Sequence, residues 1–200
     1  MAFDPDVLAE LKRRVGAIDA GRRTLLVGID GQGGSGKSTL AKDLASLLPD
    51  ATVVEFDDFY RPARERQRKT RGDEIGGDFD WRRLRDQVLE PLAAGKTARY
   101  QRYDWGDDQL AEWHAISPGG VVLVEGNYTT RPELRTYYDL TIWVDAPADV
   151  RLGRGVDRDG EHARAKWLNE WMPEEARSIA AWQPADQVDI VVKGTAGSTE

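Results

Sequence analysis

One stretch near the N-terminus constrains the fold of this chain more than any other. Residues 31–38 read Gly-Gln-Gly-Gly-Ser-Gly-Lys-Ser, which fits the pattern of Gly, four residues, and then Gly-Lys-Ser/Thr. The apolar run at 24–29 before it is typical of a buried parallel strand, and residues 39–48 after it carry apolar side chains at helical spacing. A strand, a glycine-rich turn and a helix in this order predict an α/β fold with the turn at one edge of the sheet.

The same turn predicts a site for the phosphates of a nucleoside triphosphate. Its glycines let backbone N–H groups turn toward phosphate oxygens, and the helix N-terminus adds partial positive charge. Lys37 can reach the outer phosphates as a point charge, and the Ser38 hydroxyl can coordinate Mg²⁺. The residues that we expect to bind ATP phosphates are Gly31, Gln32, Gly33, Gly34, Ser35, Gly36, Lys37, Ser38 and Thr39. The alternative, a chance glycine-rich turn, is disfavoured by the two matching flanks.

Length and composition fit one globular domain over residues 1–200. The net charge of −7 argues against a nucleic-acid or anionic-membrane partner, and the absence of cysteine excludes disulfides and thiol chemistry. The sequence shows no signal peptide and no apolar run of about 20 residues, so we expect a cytoplasmic protein without a membrane span. The oligomeric state stays open, a homo-oligomer included.

Strands alternate with helices along the rest of the chain. Further strands are expected at 51–56, 121–126, 140–144 and 188–192. With the first strand they predict a doubly wound parallel sheet of about five strands with helices on both faces. The other expected segments are an N-terminal helix within 1–20, a mobile polar loop at 61–80, a helix at 81–92, a hairpin or arm at 97–105, helices at 147–156 and 161–182, and a frayed tail at 194–200.

The absence of certain motifs narrows the class of nucleotide-binding protein. The chain has no Asn-Lys-x-Asp motif for guanine and no Leu-Ser-Gly-Gly-Gln signature of transporter ATPases, and it is short for a helicase or motor core. A small kinase that transfers the γ-phosphoryl group of ATP remains. Such a kinase needs an acid near the acceptor hydroxyl, an acid near the metal, and arginines over the phosphates.

The sequence offers a candidate for each of these needs. Asp57 and Asp58 follow the second strand, at the sheet edge where ligands bind, so either can accept the proton of an acceptor hydroxyl. Glu125 ends the central strand and suits Mg²⁺. The candidates for an arginine lid share one helical face and are Arg151, Arg154 and Arg158. Each candidate also has a purely structural alternative. The aspartates could belong to a turn, Glu125 could be a solvated strand end, and the arginines could form a solvated surface stripe.

Several short motifs follow the phosphate loop in a fixed order: Asp-Asp-Phe-Tyr at 57–60, Phe-Asp at 79–80, Tyr-Asp-Trp at 103–105, and an arginine-rich run at 151–159 that ends in Arg-Asp. In this order they resemble the uridine kinase, phosphoribulokinase and pantothenate kinase family of P-loop kinases, and most closely the uridine–cytidine kinases. The resemblance runs from about Leu25 to Gly194. It implies a P-loop NTPase fold, with an acceptor-binding loop and arm at 61–105 and a lid with its helix at 151–182.

The resemblance also implies roles for individual residues. It makes Asp57, rather than Asp58, the catalytic base, which acts with Lys37 of the loop and Arg158 of the lid. In the family, the aspartate of Phe-Asp holds ribose hydroxyls and the aromatic residues of the arm line the nucleobase pocket. The implied acceptor-binding residues are Tyr60, Asp80, Tyr103 and Trp105. The expected partners are therefore ATP and a nucleoside-like small molecule.

Two departures from the uridine kinase pattern keep other acceptors open. Asp108 stands where uridine kinases have a histidine that contacts the base. Residues 125–128, Glu-Gly-Asn-Tyr, resemble instead the pantothenate kinase and sugar-kinase-like branch. The acceptor could thus be pantothenate, a sugar or a nucleoside monophosphate. A regulatory ATPase or switch without a small acceptor is the alternative from another class.

Overall fold

Seven strands lie in the part of the chain that the structure, a computed structural model, describes: residues 3–18, 21, 23–66 and 74–194. They are β1 (Leu25–Gly31), β2 (Ala51–Glu55), β3 (Ala98–Asp104), β4 (Gln109–Ile116), β5 (Val121–Glu125), β6 (Leu140–Asp145) and β7 (Ile190–Lys193). Five of them form one parallel sheet in the order β2-β5-β1-β6-β7. The predicted parallel sheet is confirmed.

Helices connect these strands. The shorter and simpler ones are α1 (Pro5–Gly16), α2 (Lys37–Leu47), α3 (Ala63–Arg66), α5 (Pro132–Arg135), α6 (Ala148–Asp159) and α8 (Pro184–Gln187). Two are composite: α4 consists of Trp81–Leu84, a π turn Arg85–Leu89 and Glu90–Ala93, and α7 consists of Glu161–Ala163, Arg164–Lys166, a π turn Trp167–Trp171 and Met172–Trp182. Within the described ranges, no helix combines the length and apolar character that crossing a bilayer requires.

The sheet is covered on both faces because successive side chains of a strand point to opposite sides. In β1, Leu25 and Val27 pack in one core cluster together with residues of α1 and α2. Leu26, between them, packs in the other cluster with α4 and the hairpin. All seven residues of β1 are buried, which agrees with its position between β5 and β6.

An antiparallel hairpin of β3 and β4 stands outside the main sheet. The sequence predicts this arm only at 97–105, whereas its second strand extends to Ile116. Residues 109–116, which read Gln-Leu-Ala-Glu-Trp-His-Ala-Ile, do not alternate between apolar and polar side chains, and most of them are partly or fully exposed. Ala98, Tyr100 and Ile116 join the core cluster beside α4 and so anchor the arm to the domain.

The ends of the predicted loops differ from the observed ones. The segment expected as a mobile loop at 61–80 contains α3, and a β-bridge between Tyr60 and Phe79 closes it; residues 67–73 lie outside the described residues. Gly194, predicted to begin a frayed tail, donates from its N–H to the carbonyl of Asp145 at 2.7 Å and so continues β7. Residues 195–200, and residues 1, 2, 19 and 20 of the N-terminal segment, also lie outside the described ranges.

Candidate active site

The phosphate loop lies between the carboxyl end of β1 and the first turn of α2. Gly36, at φ +105°, precedes the helix and has no side chain to cap it, so the first N–H groups of α2 face the loop. Gly34 adopts φ +76°, and a Cβ atom there would lie 2.5 Å from the carbonyl oxygen of Arg151. The path of the loop therefore requires glycine at this position.

Lys37 is held in place by two acceptors. Its side chain is buried, and its Nζ donates to the carbonyl of Gln32 at 3.1 Å and to Oδ1 of Asn127 at 2.7 Å. Asn127 follows β5, so the bond joins the loop to the neighbouring strand end. The ammonium group is thus oriented by the protein itself.

Asp57 lies close enough to this ammonium group for the two charges to interact. It belongs to the 3-10 turn Phe56–Phe59 that follows β2, and its side chain reaches solvent although protein surrounds the carboxylate. Burial raises the pKa of Asp57; the charge of Lys37 opposes this shift, Glu55 adds to it, and Arg158 lowers it. A carboxylate with a raised pKa next to a phosphate site is suited to general-base work.

Asp58 points to different surroundings from its neighbour. Its Oδ2 accepts a hydrogen bond from the Tyr100 hydroxyl at 3.2 Å, on the hairpin side of the turn. Burial raises the pKa of Asp58 to about 6, and the Tyr100 hydrogen bond opposes the shift. Of the two acids that the sequence offers, Asp57 is the one that faces Lys37.

Glu125 ends β5 next to the loop and is 6% exposed. Burial raises its pKa, while Lys37 and a hydrogen bond from the Ser38 hydroxyl lower it. The oxygens of Ser38 and Glu125 therefore lie side by side, as hard ligands for Mg²⁺ would. The described ranges contain no group of three or more His, Cys, Asp or Glu arranged to hold a metal. Mg²⁺ in kinases needs only one or two carboxylates because phosphate oxygens and water complete its shell, so these residues fit it.

Sequence reasoning missed Asp30, which lies inside β1 and is 3% exposed. Its carboxylate accepts hydrogen bonds from the N–H groups of Gly31, Tyr128 and Thr130 at 2.7, 2.9 and 2.8 Å. Burial raises the pKa of Asp30, and the bonds from Thr130 and Gly31 oppose this. Asp30 thus fastens the segment after β5 to the loop. An acid inside an otherwise apolar run was the signal that could have indicated it.

The lid interpretation is wrong for Arg151. Its side chain is 5% exposed, its Nε donates to the carbonyl of Ala146 at 3.2 Å, and its Nη1 donates to Glu175 at 3.1 Å. Periodicity groups residues on one face of α6, but it does not reveal whether that face turns to solvent or to protein. Here the face at Arg151 packs against the back of the phosphate loop.

The other two arginines behave differently from each other. Arg154 donates from Nη1 to the carbonyls of Gly34 and Ser35 at 3.2 and 3.4 Å, so it holds the loop backbone rather than a ligand. Arg158 is exposed and pairs with Asp159 at 2.7 Å. Asp159 raises the pKa of Arg158 most, and the charges of Asp57 and Glu125 raise it further. Arg158 thus interacts electrostatically with Asp57 and Glu125, and its place in a lid stays a prediction.

On the acceptor side, an aromatic platform faces the solvent. Tyr60 stacks on Trp105 with ring centroids 4.5 Å apart, and Trp105 is 56% exposed. The Arg66 guanidinium lies 4.7 Å from the centroid of the Tyr60 ring. The structure brings together these two predicted residues, Tyr60 from the turn after β2 and Trp105 from the tip of the hairpin, although 45 positions in the sequence separate them.

Two other predicted acceptor residues already have protein partners. Tyr103 is 3% exposed, and its hydroxyl donates to Asp108 at 2.6 Å, so the hydroxyl supports the arm; a contact of Tyr103 with the acceptor stays a prediction. Asp108 also accepts from the Ala63 N–H at 3.0 Å and thereby ties the hairpin tip to α3. Asp80 caps α4 and pairs with Arg61 at 2.9 Å, so an acceptor would meet a carboxylate that is already bonded twice.

Comparison with known families identifies the group to which this site belongs. Residues 26–165 match the phosphoribulokinase / uridine kinase family. The chain belongs to that family. A uridine kinase of Alkaliphilus metalliredigens is 35% identical to this family member over 147 residues, which are 70% of each chain. A uridine kinase of Halobacterium salinarum is 28% identical over 139 residues, 66% of this chain and 61% of the relative.

Two solved structures share the fold of this family member. A possible uridine kinase from Bacillus stearothermophilus superposes with a TM-score of 0.72 at 23% identity, over 93% of this chain and 97% of that one. A candidate fructose transport system kinase from Silicibacter sp. TM1040 superposes with a TM-score of 0.68 at 24% identity, over 92% and 98% of the two chains. At these sequence identities, the structural similarity shows that the chain has the P-loop kinase fold. The family match and the uridine kinase relatives identify this chain as an ATP-dependent phosphotransferase that acts on a hydroxyl group.

Proposed function

We propose that this phosphotransferase transfers the γ-phosphoryl group of ATP to a primary hydroxyl of a nucleoside-like acceptor, with uridine or cytidine as the first candidates. One observation carries the proposal. The short turn Phe56–Phe59 has Asp57 beside Lys37, and at its end Tyr60 begins the open aromatic platform with Trp105. A base at the donor phosphates and a flat aromatic surface next to it suit an alcohol that carries a planar ring.

On the donor side, the loop N–H groups and the first turn of α2 bind phosphate oxygens, and Lys37 neutralises charge on the transferring group. Ser38 and Glu125 would hold Mg²⁺, which supplies further charge neutralisation when bound. The positive charge of Arg158 acts on Asp57 and Glu125 at the same place. These residues act on the phosphates, so they are expected to matter with any acceptor.

On the acceptor side, Asp57 accepts the proton of the attacking hydroxyl. Burial raises the pKa of Asp57, and Asp57 must be deprotonated to act as a base. The platform of Tyr60 and Trp105 orients the ring of the acceptor, and Tyr103 and Asp108 hold the platform by fixing the hairpin tip.

A different alcohol in the same site is the second candidate. Asp108, which stands where uridine kinases have a base-contacting histidine, is bonded to Tyr103 and to the backbone of Ala63. Arg61 is bonded to Asp80 and to the carbonyl of Gly77, so this cation is already partnered by groups of the protein itself. This favours an uncharged acceptor, which includes sugars as well as nucleosides.

An acceptor panel tests the proposal. ADP release is measured with ATP alone and with uridine, cytidine, pantothenate, hexoses or nucleoside monophosphates, and the phosphorylated product is identified by mass spectrometry. We expect uridine or cytidine to stimulate ADP release most strongly. Stimulation by another alcohol alone would overturn the nucleoside assignment, and slow ADP release that no alcohol accelerates would overturn the acceptor site altogether.

A further inference from the structure

A chain of hydrogen bonds runs from α7 to the lysine of the phosphate loop. Glu175, in α7, is 3% exposed, and its Oε1 accepts from the N–H of Gly33 and from Nδ2 of Asn127, both at 2.8 Å. Oδ1 of Asn127 in turn accepts from Nζ of Lys37 at 2.7 Å. The other carboxylate oxygen accepts from Arg151 at 3.1 Å. Glu175 thus contacts the loop, the segment after β5 and α6 at once.

The bonds to Asn127 determine the orientation of its amide. The amide nitrogen can only donate and the amide oxygen can only accept. Glu175 accepts and Lys37 donates, so a flipped amide would lose both bonds. The backbone beside it is equally constrained, because Tyr128 adopts φ +68°, an uncommon conformation for a residue with a side chain, and its N–H donates to Asp30.

The loop itself is shaped for the approach of α7. A Cβ atom at Gly33 would lie 2.8 Å from the ring of Trp167 and 2.9 Å from Oε1 of Glu175. Trp167 is 2% exposed, and its indole N–H donates to Asp159, the partner of Arg158. Glycine at position 33 is therefore required by two side chains of α7, in addition to any requirement of the nucleotide.

We infer that Glu175 is a positioning residue for phosphoryl transfer, which holds the Lys37 ammonium at the phosphate site through Asn127 and fixes the loop through Gly33. The inference rests on the proposed function only in taking the loop as the ATP site. An ammonium group that is oriented before the nucleotide binds does not have to be ordered during the reaction. Such a charge stabilises the transition state more than a charge that must first be brought into place.

The test is a double-mutant cycle of Glu175→Gln and Asn127→Leu. Glu175→Gln keeps the size of the side chain, but it removes the charge and turns an N–H donor toward Asn127 or Arg151. We expect it to lower turnover by about 100-fold and affinity for Mg·ATP by about 10-fold, since small displacements of a catalytic group have effects of this order. In the Asn127→Leu background, the same change should have little further effect on either quantity.

Thermal unfolding of the four proteins in the cycle separates positioning from simple stability. Both changes should lower the unfolding temperature. Glu175 also pairs with buried Arg151, so its loss costs stability that does not depend on Asn127. The two decreases in unfolding temperature should therefore combine differently from the two decreases in turnover. Glu175→Asp keeps the charge but withdraws it by one methylene group, and it should restore part of the turnover. If Glu175→Gln does not fold, Glu175→Asp takes its place in the cycle. The matched control is Glu170→Gln, an exposed acid of the same helical segment, which should leave turnover and affinity unchanged.

Two results would overturn the inference: effects of the two changes on Mg·ATP affinity that simply add, or wild-type affinity and turnover in both single variants. Affinity for Mg·ATP is measured without any acceptor, by calorimetry. If the acceptor assignment is wrong, the two changes should still be coupled in their effects on Mg·ATP affinity. If the role of Glu175 is wrong, their effects on this affinity should add, and the wild-type protein should still be an active kinase.

Discussion

The donor and acceptor halves of the site are built in different ways. On the donor side, Lys37 is 8% exposed, and the bonds that hold it involve Asn127 and Glu175, which are distant in the sequence. On the acceptor side, Trp105 is 56% exposed, and the platform belongs to a turn and a hairpin tip outside the main sheet. The phosphate group, which every kinase transfers, would thus meet a side chain held by a buried hydrogen-bond network. The alcohol, which differs between kinases, would meet a turn and a hairpin outside the main sheet, and such elements can change without disturbing the sheet.

Removal of the lysine breaks the donor half and should have the largest effect. We expect Lys37→Ala to lower turnover by about 1,000-fold or more with every acceptor, because a preorganised charge at the transferring phosphates is lost. The measurement is the initial rate of ADP release at saturating substrates. Lys42→Ala, which alters an exposed lysine of the same helix, is the control and should retain normal turnover. A modest loss in Lys37→Ala would contradict the role of this side chain.

Asp57→Asn tests the point where the two halves meet. Turnover should fall by about 100- to 1,000-fold because no base accepts the hydroxyl proton, while the Kd for Mg·ATP stays within a factor of about 2. In the wild-type protein, turnover should rise with pH as Asp57 loses its proton, at a pKa above that of an ordinary carboxyl group because burial raises it. This rise should be absent in Asp57→Asn.

The adjacent Asp58→Asn is the matched control for that experiment. Asp58 faces Tyr100 on the hairpin side, so its loss should change turnover far less. Equal losses in the two variants, or normal turnover in Asp57→Asn, would contradict the choice of Asp57 as the base.

Trp105→Ala tests the acceptor half alone. We expect the KM of the acceptor to rise about 10-fold, the value of one aromatic stacking contact, with the KM of ATP unchanged. Trp113→Ala is the control, since Trp113 lies on the same hairpin and is equally exposed, at 56%. If both variants raise the KM of the acceptor alike, the platform is not the acceptor site.

The smallest expected effect concerns the pH dependence of the unfolding temperature. The pKa of Asp58 is raised by burial from an ordinary value of 3.8 to about 6, so the folded protein binds a proton more tightly than the unfolded chain does. Asp58 therefore contributes stability below about pH 4, and this contribution is lost as the pH rises through about 6. The unfolding temperature of Asp58→Asn, relative to wild type, should rise over that range. A constant difference would contradict the raised pKa.

Much of the fold was predictable because it depends on local patterns. The buried apolar runs and the glycine-rich turn predict β1, the loop and α2, and the alternation of strands and helices predicts the parallel sheet. The second hairpin strand was missed because residues 109–116 lack alternation. One kinase domain across 1–200 and a cytoplasmic location remain predictions, as do the roles of the individual site residues other than Arg151.

The sequence by itself determined the donor chemistry, since the residues predicted to bind phosphate are contiguous from Gly31 to Thr39 and their order carries the mechanism. Only the tertiary structure decided what surrounds them. It buries Arg151 beneath the loop, although the spacing of the arginines suggested a lid, and it brings Glu175 to Gly33 across 142 positions of the sequence. Periodicity reports which residues share a face, but burial and long-range hydrogen bonds depend on which surface that face meets.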